Sequence, residues 1–353
     1  MSKFGEYYDT CLSVAVSNPK VYIIAEAGVN HDGNLDKAMK LIDVAVDAGA
    51  DAVKFQAFRA NRMTSSAAPK AAYQLEQTDA EESQMEMLEK CELSEKAFYD
   101  LADYAQNRGI DFICTPFDEE SLELVAALKP AAIKVSSGDL TNHPFLRSVA
   151  AKGYPVILSS GMSTIGEVED ALRVVRSVGL LDIVLLHCTS NYPASPENVN
   201  LRAMNTLRQA FAVPVGYSDH TVGLEISIAA VAIGALVIEK HFTLKKSDRG
   251  PDHAMSLEPY ELEALVSSIR VVERALGDGV KRVDRSELDT RIAARKSIHL
   301  AMAVSEGEVL SADKLCYLRP GDGIPPSMIN LVVGRQARSC LPAGHKLLIR
   351  DLQ

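Results

Sequence analysis

The sequence has no CxxC pair, no long apolar run and no excess of basic charge, and each absence removes a class of function. Its six cysteines (Cys11, Cys91, Cys114, Cys188, Cys316, Cys340) are scattered, so buried free thiols are expected, not a disulfide framework or a zinc site. No apolar stretch approaches the roughly 20 residues that span a bilayer, and no membrane association is expected. The opening segment, MSKFGEYYDTCLSVAVSNPK, is too polar and acidic for a secretory signal, which makes the cytoplasm the expected compartment. Lys and Arg number 37 against 47 Asp and Glu, and the net charge of −10 argues against nucleic acid as a partner. Any anionic ligand must then be held by a local cluster of positive groups.

What is present is a chain of 353 residues, 47% hydrophobic and 24% charged, enough for one large domain and an appendage. Short β-rich runs recur at 21–28, 51–58, 111–117, 131–138, 155–161, 182–189, 213–219 and 235–243. Amphipathic stretches such as LDKAMKLIDVAVDAGA separate them, and a closing helix is expected over Glu258–Leu276. Continuous apolar strands alternating with helices indicate a parallel sheet buried on both faces. Eight such units predict an α/β fold of the (β/α)₈ TIM-barrel type. An open doubly wound sheet is the alternative, but AEAGVNHDGN lacks its GxGxxG turn.

The segment from Arg59 to about Glu92 is too long and polar for a routine connection, so it reads as a lid or substrate-contact insertion, or else as a disordered insert. The barrel is expected over 1–276 and a charged linker over 277–292. A small β-rich domain is expected over 293–353, with β-like runs SIHLAMAV, LVVGRQA and KLLIRDL. At about 60 residues that domain is near the lower limit for independent folding.

Catalytic groups of such barrels collect at strand C-terminal ends, where side chains alternate in and out. The ends here supply Glu26; Lys54 and Gln56; Thr115; Lys134 and Ser136; Ser159; His187 and Thr189; Ser218 and His220; Glu239 and His241. Lys240 should point outward to the helices. His220 and His241 end consecutive strands, about 4.8 Å apart, so their imidazoles can share a metal ion. A pair of hydrogen-bonded core histidines is the plainer reading, but Asp219, Glu239 and Glu26 can supply further oxygen donors. Two imidazoles with oxygen ligands suggest Mn²⁺ or a similar ion with open positions. Lys54 and Lys134 in apolar strands are costly unless paired. They suit a phosphate or carboxylate site completed by Ser136, Ser159 and Ser218 hydroxyls, although a Schiff-base lysine is a second possibility.

The motifs IAEAGVNHDG, AVKFQ, CTPFDEESLELV, IKVSSGDLTN, ILSSGM, LLHCTSNYP, VGYSDHTVG, IEKHFT, GPDHAMSLEP and RPGDGI, in this order, resemble the sialic acid synthase family. The tail resembles that family's antifreeze-protein-like (SAF) domain. The resemblance implies condensation of phosphoenolpyruvate with the open-chain aldehyde of an N-acetylated sugar, N-acetylmannosamine, to give a sialic acid and phosphate. It implies that His220 and His241 hold Mn²⁺, and that Lys54, Lys134, Ser159 and Ser218 bind phosphoenolpyruvate, with Thr115 and Ser136 beside them. Glu26 and Gln56 would lie by the metal and reacting atoms, and Tyr192, Asp252 and one of Ser190 and Asn191 would contact the sugar. Asp139 would handle a proton, standing where many bacterial members carry Glu. Arg319 would reach a partner subunit's site in a domain-swapped homodimer. An N,N'-diacetyllegionaminic acid synthase, acting on a 2,4-diacetamido-2,4,6-trideoxy sugar, is the nearest alternative. A Schiff-base aldolase and a binding protein with a vestigial barrel are more distant ones.

Overall fold

A computed structural model describes residues 3–12, 20–79 and 81–353, which fall into two compact units, 1–278 and 279–353. In the first unit, the apolar runs form β1 (Tyr22–Gly28), β2 (Ala52–Ala57), β3 (Asp111–Pro116) and β4 (Ala132–Val135). They continue as β5 (Val156–Ser159), β6 (Ile183–Cys188), β7 (Val215–Asp219) and β8 (Val237–His241). The strands close in chain order into a parallel barrel, with β1 paired to β8 from Tyr22↔Val237 to Glu26↔His241.

Period-two alternation sorts the strand residues into two cores. Tyr22, Ile24, Ala52, Ile113, Ala132, Ile157, Val184, Leu186 and Val237 pack together inside the barrel. Their neighbours, among them Ile23, Val53, Phe55, Ile133 and Leu185, pack outward against the helices. The inward series continues along each strand into a polar residue: Ile24 to Glu26, Ala52 to Lys54, Ala132 to Lys134, Val237 to Glu239.

The outer helices follow from capping and stripe. Helix Leu35–Asp47 starts where Asn34 Oδ1 accepts the Lys37 N–H at 2.9 Å, and it buries Ala38, Leu41, Ile42 and Ala45. Burying each large aliphatic side chain stabilises by about 1.5–3 kcal/mol, and Leu41→Ala should cost about 2–5 kcal/mol. Helix Glu95–Arg108 is capped by Ser94 and ends at Gly109, whose φ of 72° suits glycine. The closing helix spans Pro259–Leu276, with Glu258 as its cap residue.

The N-terminal segment packs against the barrel. Residues Lys3–Leu12 form a helix whose Phe4 and Tyr8 join the inner core, and the Phe4 N–H donates to Asp111 Oδ2 at 2.8 Å. Asp111 opens β3, so this helix covers the N-terminal mouth of the barrel. The side chain of Cys11 lies outside the described residues. Cys91, Cys114 and Cys188 are buried free thiols, Cys316 is half-buried and Cys340 exposed.

The insertion after β2 is ordered into short helices at Ala60–Met63, Ala72–Gln77 and Gln84–Glu89. A buried lysine organises it: Lys70 Nζ donates to Thr78 Oγ1 at 3.0 Å, the Asp79 carbonyl at 2.6 Å and Glu82 Oε1 at 3.1 Å. Val29, Phe58, Ala60, Met87, Leu88 and Cys91 form a separate apolar cluster beneath it.

In the second unit, β9 (Ser297–Leu300) pairs antiparallel with β10 (Leu315–Leu318) over a core that includes Ile298, Leu300, Leu310, Val332 and Leu347. The run LVVGRQA contributes only single bridges (Val309↔Gln336, Ala337↔Leu352), and so does KLLIRDL (His299↔Lys346). The stretch 285–294 is helical, as a 3₁₀ turn and helix Leu288–Ala294. No helix among the described residues is long and apolar enough to cross a membrane.

Candidate active site

The polar strand ends meet in one cavity of about 340 Å³. Glu26, Lys54, Gln56, Thr115, Lys134, Ser136, Ser159, Tyr192, Ser218, His220, His241 and Asp252 all line it, with Glu239 and Ser190. Asp139 does not line it. It sits in a 3₁₀ turn after β4 and accepts a 2.9 Å hydrogen bond from the lining residue Ser136. Burial raises its carboxyl above the usual range. Arg319 is exposed in the second unit, just after β10.

The floor is a chain of alternating charge. Lys54 Nζ lies 3.3 Å from Glu26 Oε2, 3.2 Å from Glu239 Oε2 and 3.3 Å from Thr115 Oγ1. Lys134 Nζ is 3.9 Å from Glu239 Oε1 and donates to the Val135 carbonyl at 3.0 Å. Ser218 Oγ donates to Glu239 Oε1 at 2.8 Å and Gln56 Nε2 to Glu26 Oε1 at 3.1 Å. Burial and the Glu239 charge push Glu26 up to about 7, against the pull of Lys54. Burial would raise Glu239 too, but the ammonium groups of Lys134 and Lys54 hold it down at about 2. Desolvation brings Lys134 down to about 8. Ser159 Oγ is buried without a hydrogen-bond partner and is available to a ligand.

Backbone shape makes the room. Gly28 ends β1 at φ 53°, and a Cβ there would stand 3.3 Å from Glu26 Oε1, 3.4 Å from Gln56 Nε2 and 3.6 Å from Asp252 Oδ2. Any side chain at this position would be strained and would intrude between three lining groups.

The donors around the two histidines fit a divalent ion. The Thr189 carbonyl can only accept, so His220 Nδ1 donates to it at 2.8 Å and the neutral ring keeps its lone pair on Nε2. His241 Nδ1 is buried without a hydrogen bond, 3.9 Å from Asp252 Oδ2, and Glu26 Oε2 likewise accepts none. The two ring centroids are 5.5 Å apart. Three carboxylates (Glu26, Glu239, Asp252) face only two ammonium groups, so a cation would redress the balance before an anion could enter. Among the described residues, the only three His, Cys, Asp or Glu side chains with ligand atoms within 4.8 Å of one another are Asp32, Asp248 and His253. There Lys37 already bridges both carboxylates, and none of the three lines the cavity.

On β6 the expected strand-end residues are His187 and Thr189, but Cys188 and Ser190 line the cavity. The inward series runs Val184, Leu186, Cys188, and His187 turns outward, with Nε2 2.7 Å from the Val199 carbonyl. Residue type points to the wrong phase here, because a thiol looks like core and an imidazole like a site. Of Ser190 and Asn191, Ser190 lines the cavity. The rim is largely apolar, formed by Val29, Met63, Met87, Leu88, Phe117 and Met162 with the polar Gln74, on the segments after the strands. Sequence patterning gives no signal for these, because loops and helices of four to six residues are too short to show a period.

The model of the NeuB family matches residues 41–281. The chain is 47% identical to the N,N'-diacetyllegionaminic acid synthase of Campylobacter jejuni over 320 residues, 90% of this chain and 96% of that one. It is 46% identical to the enzyme of the same name from Legionella pneumophila over 341 residues, 96% of each. Among solved structures, the N-acetylneuraminic acid synthetase of Leptospira borgpetersenii in complex with citrate is 35% identical with a TM-score of 0.68, covering 77% of this chain and 90% of that one. Every cavity-lining residue except Glu26 and Val29 falls within the matched residues 41–281, and the chain is an enzyme that belongs to the NeuB family.

Proposed function

We propose that this enzyme condenses phosphoenolpyruvate with the open-chain form of 2,4-diacetamido-2,4,6-trideoxymannose, giving N,N'-diacetyllegionaminic acid and inorganic phosphate. The observation that carries this reading is the division of one cavity into a floor where Lys54 and Lys134 stand among hydroxyls and a largely apolar rim without Lys or Arg. The floor suits a small molecule bearing carboxylate and phosphate, and the rim suits a sugar end bearing a methyl group and acyl chains. N-acetylmannosamine, with a hydroxyl at that end, is the second reading. The resemblance to two diacetyllegionaminic acid synthases over at least nine-tenths of the chain supports the deoxy sugar as the first reading.

Phosphoenolpyruvate is an enol derivative, and its C3 is nucleophilic without a strong base. Lys54 and Lys134 would hold its carboxylate and phosphate, with Ser159, Ser218, Thr115 and Ser136 donating to the same oxygens. C3 forms a bond to the sugar aldehyde carbon, water adds at C2, and the tetrahedral carbon then expels phosphate. Holding both reactants at bonding distance can contribute roughly 7–11 kcal/mol. A divalent ion on His220 and His241, with Mn²⁺ the best match to that donor set, would supply Lewis-acid polarisation of the aldehyde. Glu26, fixed through Gln56, and Asp252 would face the reacting atoms, and Tyr192 and Ser190 the sugar. Asp139 would act only through Ser136. Arg319 would complete the sugar pocket of a partner subunit in a swapped homodimer.

Mass spectrometry of products from phosphoenolpyruvate and a panel of N-acetylated hexoses tests the reading. The diacetamido trideoxy sugar should give the highest kcat/KM, with one phosphate released per nonulosonic acid. Preference for a sugar phosphorylated at C6 would contradict it.

A further inference from the structure

On the outer face of the barrel wall, directly behind the two histidines, lies a buried ion pair that the proposed chemistry does not use. Asp219 and Lys240 are register partners on β7 and β8, and their side chains meet at 2.9 Å, both essentially inaccessible to solvent. Asp219 precedes His220 and Lys240 precedes His241. The carboxylate is saturated: Oδ1 accepts the Thr221 N–H at 2.9 Å and its hydroxyl at 2.8 Å, and Oδ2 accepts Ser227 Oγ at 2.6 Å as well as the lysine. Lys240 Nζ also donates to the Thr221 carbonyl. Thr221 thus gives its amide and hydroxyl to Asp219 and its carbonyl to Lys240, so the residue after His220 is tied to the residue before His241.

Stability alone is a weak reason for this arrangement. A buried pair replaced by apolar residues of similar volume is often neutral or stabilising, whereas fixing register is the best-supported use of buried polar groups. Here the tie joins two strands at the height where two imidazoles must converge. Ser218 Oγ donates to Glu239 Oε1 at 2.8 Å one position earlier on the inner face, but on the outer face at this level Tyr217 adds only a 3.4 Å contact to Asp219 Oδ1.

We propose that the Asp219–Lys240 pair, with Thr221 and Ser227, is a positioning network that holds the His220 and His241 rings at the separation a shared divalent ion requires. This rests on the metal reading above. The network touches no substrate, so its loss should appear in metal affinity and in kcat, with the KM for phosphoenolpyruvate little changed.

The test is Mn²⁺ binding by electron paramagnetic resonance on the full-length protein, with thermal melts in parallel. The paired substitution Asp219→Asn with Lys240→Met removes both charges together and avoids stranding one. It should raise the Kd for Mn²⁺ by about 10–100-fold, the range typical of outer partners of metal ligands. Should that variant not fold, Ser227→Ala keeps both charges and should weaken Mn²⁺ in the same direction, by about threefold or more. Arg270→Met is the control. Arg270 bonds Asp51 Oδ2 at 2.6 Å at the start of β2, the opposite end of the barrel, so its loss should lower the Tm with Mn²⁺ affinity within about twofold. Unchanged Mn²⁺ affinity in the folded network variants would overturn the positioning role alone. A wild-type protein that binds no Mn²⁺ would overturn the metal reading and this inference with it.

Discussion

The ring of Tyr192 lies over the imidazole of His220, centroids 4.1 Å apart and planes 32° from parallel, and it meets His241 edge-on at 5.8 Å. One aromatic side chain therefore walls both histidines. Tyr192→Phe keeps that wall, and Mn²⁺ affinity should stay within about twofold of wild type. Tyr192→Ala removes a contact worth about 0.5–1.5 kcal/mol and opens the site to water, so kcat/KM for the sugar should fall on the order of 10-fold. Steady-state kinetics of the two variants, side by side, check this.

The lysines are expected to bind anions, not to form covalent adducts. Lys134→Gln removes a charge-assisted contact worth about 1.5–3 kcal/mol, so the KM for phosphoenolpyruvate should rise about 10-fold or more, with the sugar KM little changed. Borohydride added with phosphoenolpyruvate or pyruvate should leave Lys54 and Lys134 unmodified by peptide mass. An adduct at Lys134, whose pKa burial brings down to about 8, would favour the Schiff-base aldolase.

His31 contributes a pH dependence to the stability of the fold. It is fully buried, its Nδ1 accepts the Gly33 N–H at 3.1 Å, and burial lowers its pKa from 6.5 to about 4. A group depressed in the folded state is protonated first in the unfolded chain. Its stabilising contribution is thus full above pH 6.5 and is lost as pH falls towards 4. At about 1.4 kcal/mol per unit the loss is about 3 kcal/mol. Urea denaturation at pH 7 and pH 4.5 should show most of it, and His31→Asn should flatten the difference while lowering stability at pH 7.

Arg319 is predicted to act across subunits. Arg319→Ala should raise the KM for the sugar and leave that for phosphoenolpyruvate nearly unchanged, as for a lost ground-state contact. Mixing Arg319→Ala with His241→Ala should recover part of the activity, because a mixed dimer carries one site with both wild-type groups. Native mass spectrometry must show heterodimers in the mixture. Heterodimers without recovered activity would exclude the cross-subunit role.

Much of the fold was legible because a parallel barrel writes itself plainly: apolar runs at helix-length intervals, each ending in a polar residue. The same alternation placed Lys54 with Gln56 and Glu239 with His241, and sent Lys240 outward, where it meets Asp219. It failed on β6, where chemistry and phase disagreed and His187 was preferred to Cys188. The apolar rim was invisible for a different reason. Met63, Met87 and Leu88 reach the cavity through the tertiary folding of the insertion, which Lys70 and its partners organise, and no local pattern encodes that. In the second unit, β-like composition overstated strand content, because runs such as KLLIRDL bury residues through isolated bridges and 3₁₀ turns.

In the proposed reaction phosphoenolpyruvate itself is the carbon nucleophile, and the bond between its C2 and the bridging oxygen breaks after water has added at C2. Phosphoenolpyruvate carrying ¹⁸O in the bridging position, incubated with the diacetamido trideoxy sugar and Mn²⁺, tests it directly. The nonulosonic acid should be unlabelled and the released phosphate should carry ¹⁸O, both read by mass spectrometry. Label retained in the nonulosonic acid, or free pyruvate with no new carbon–carbon bond, would contradict it.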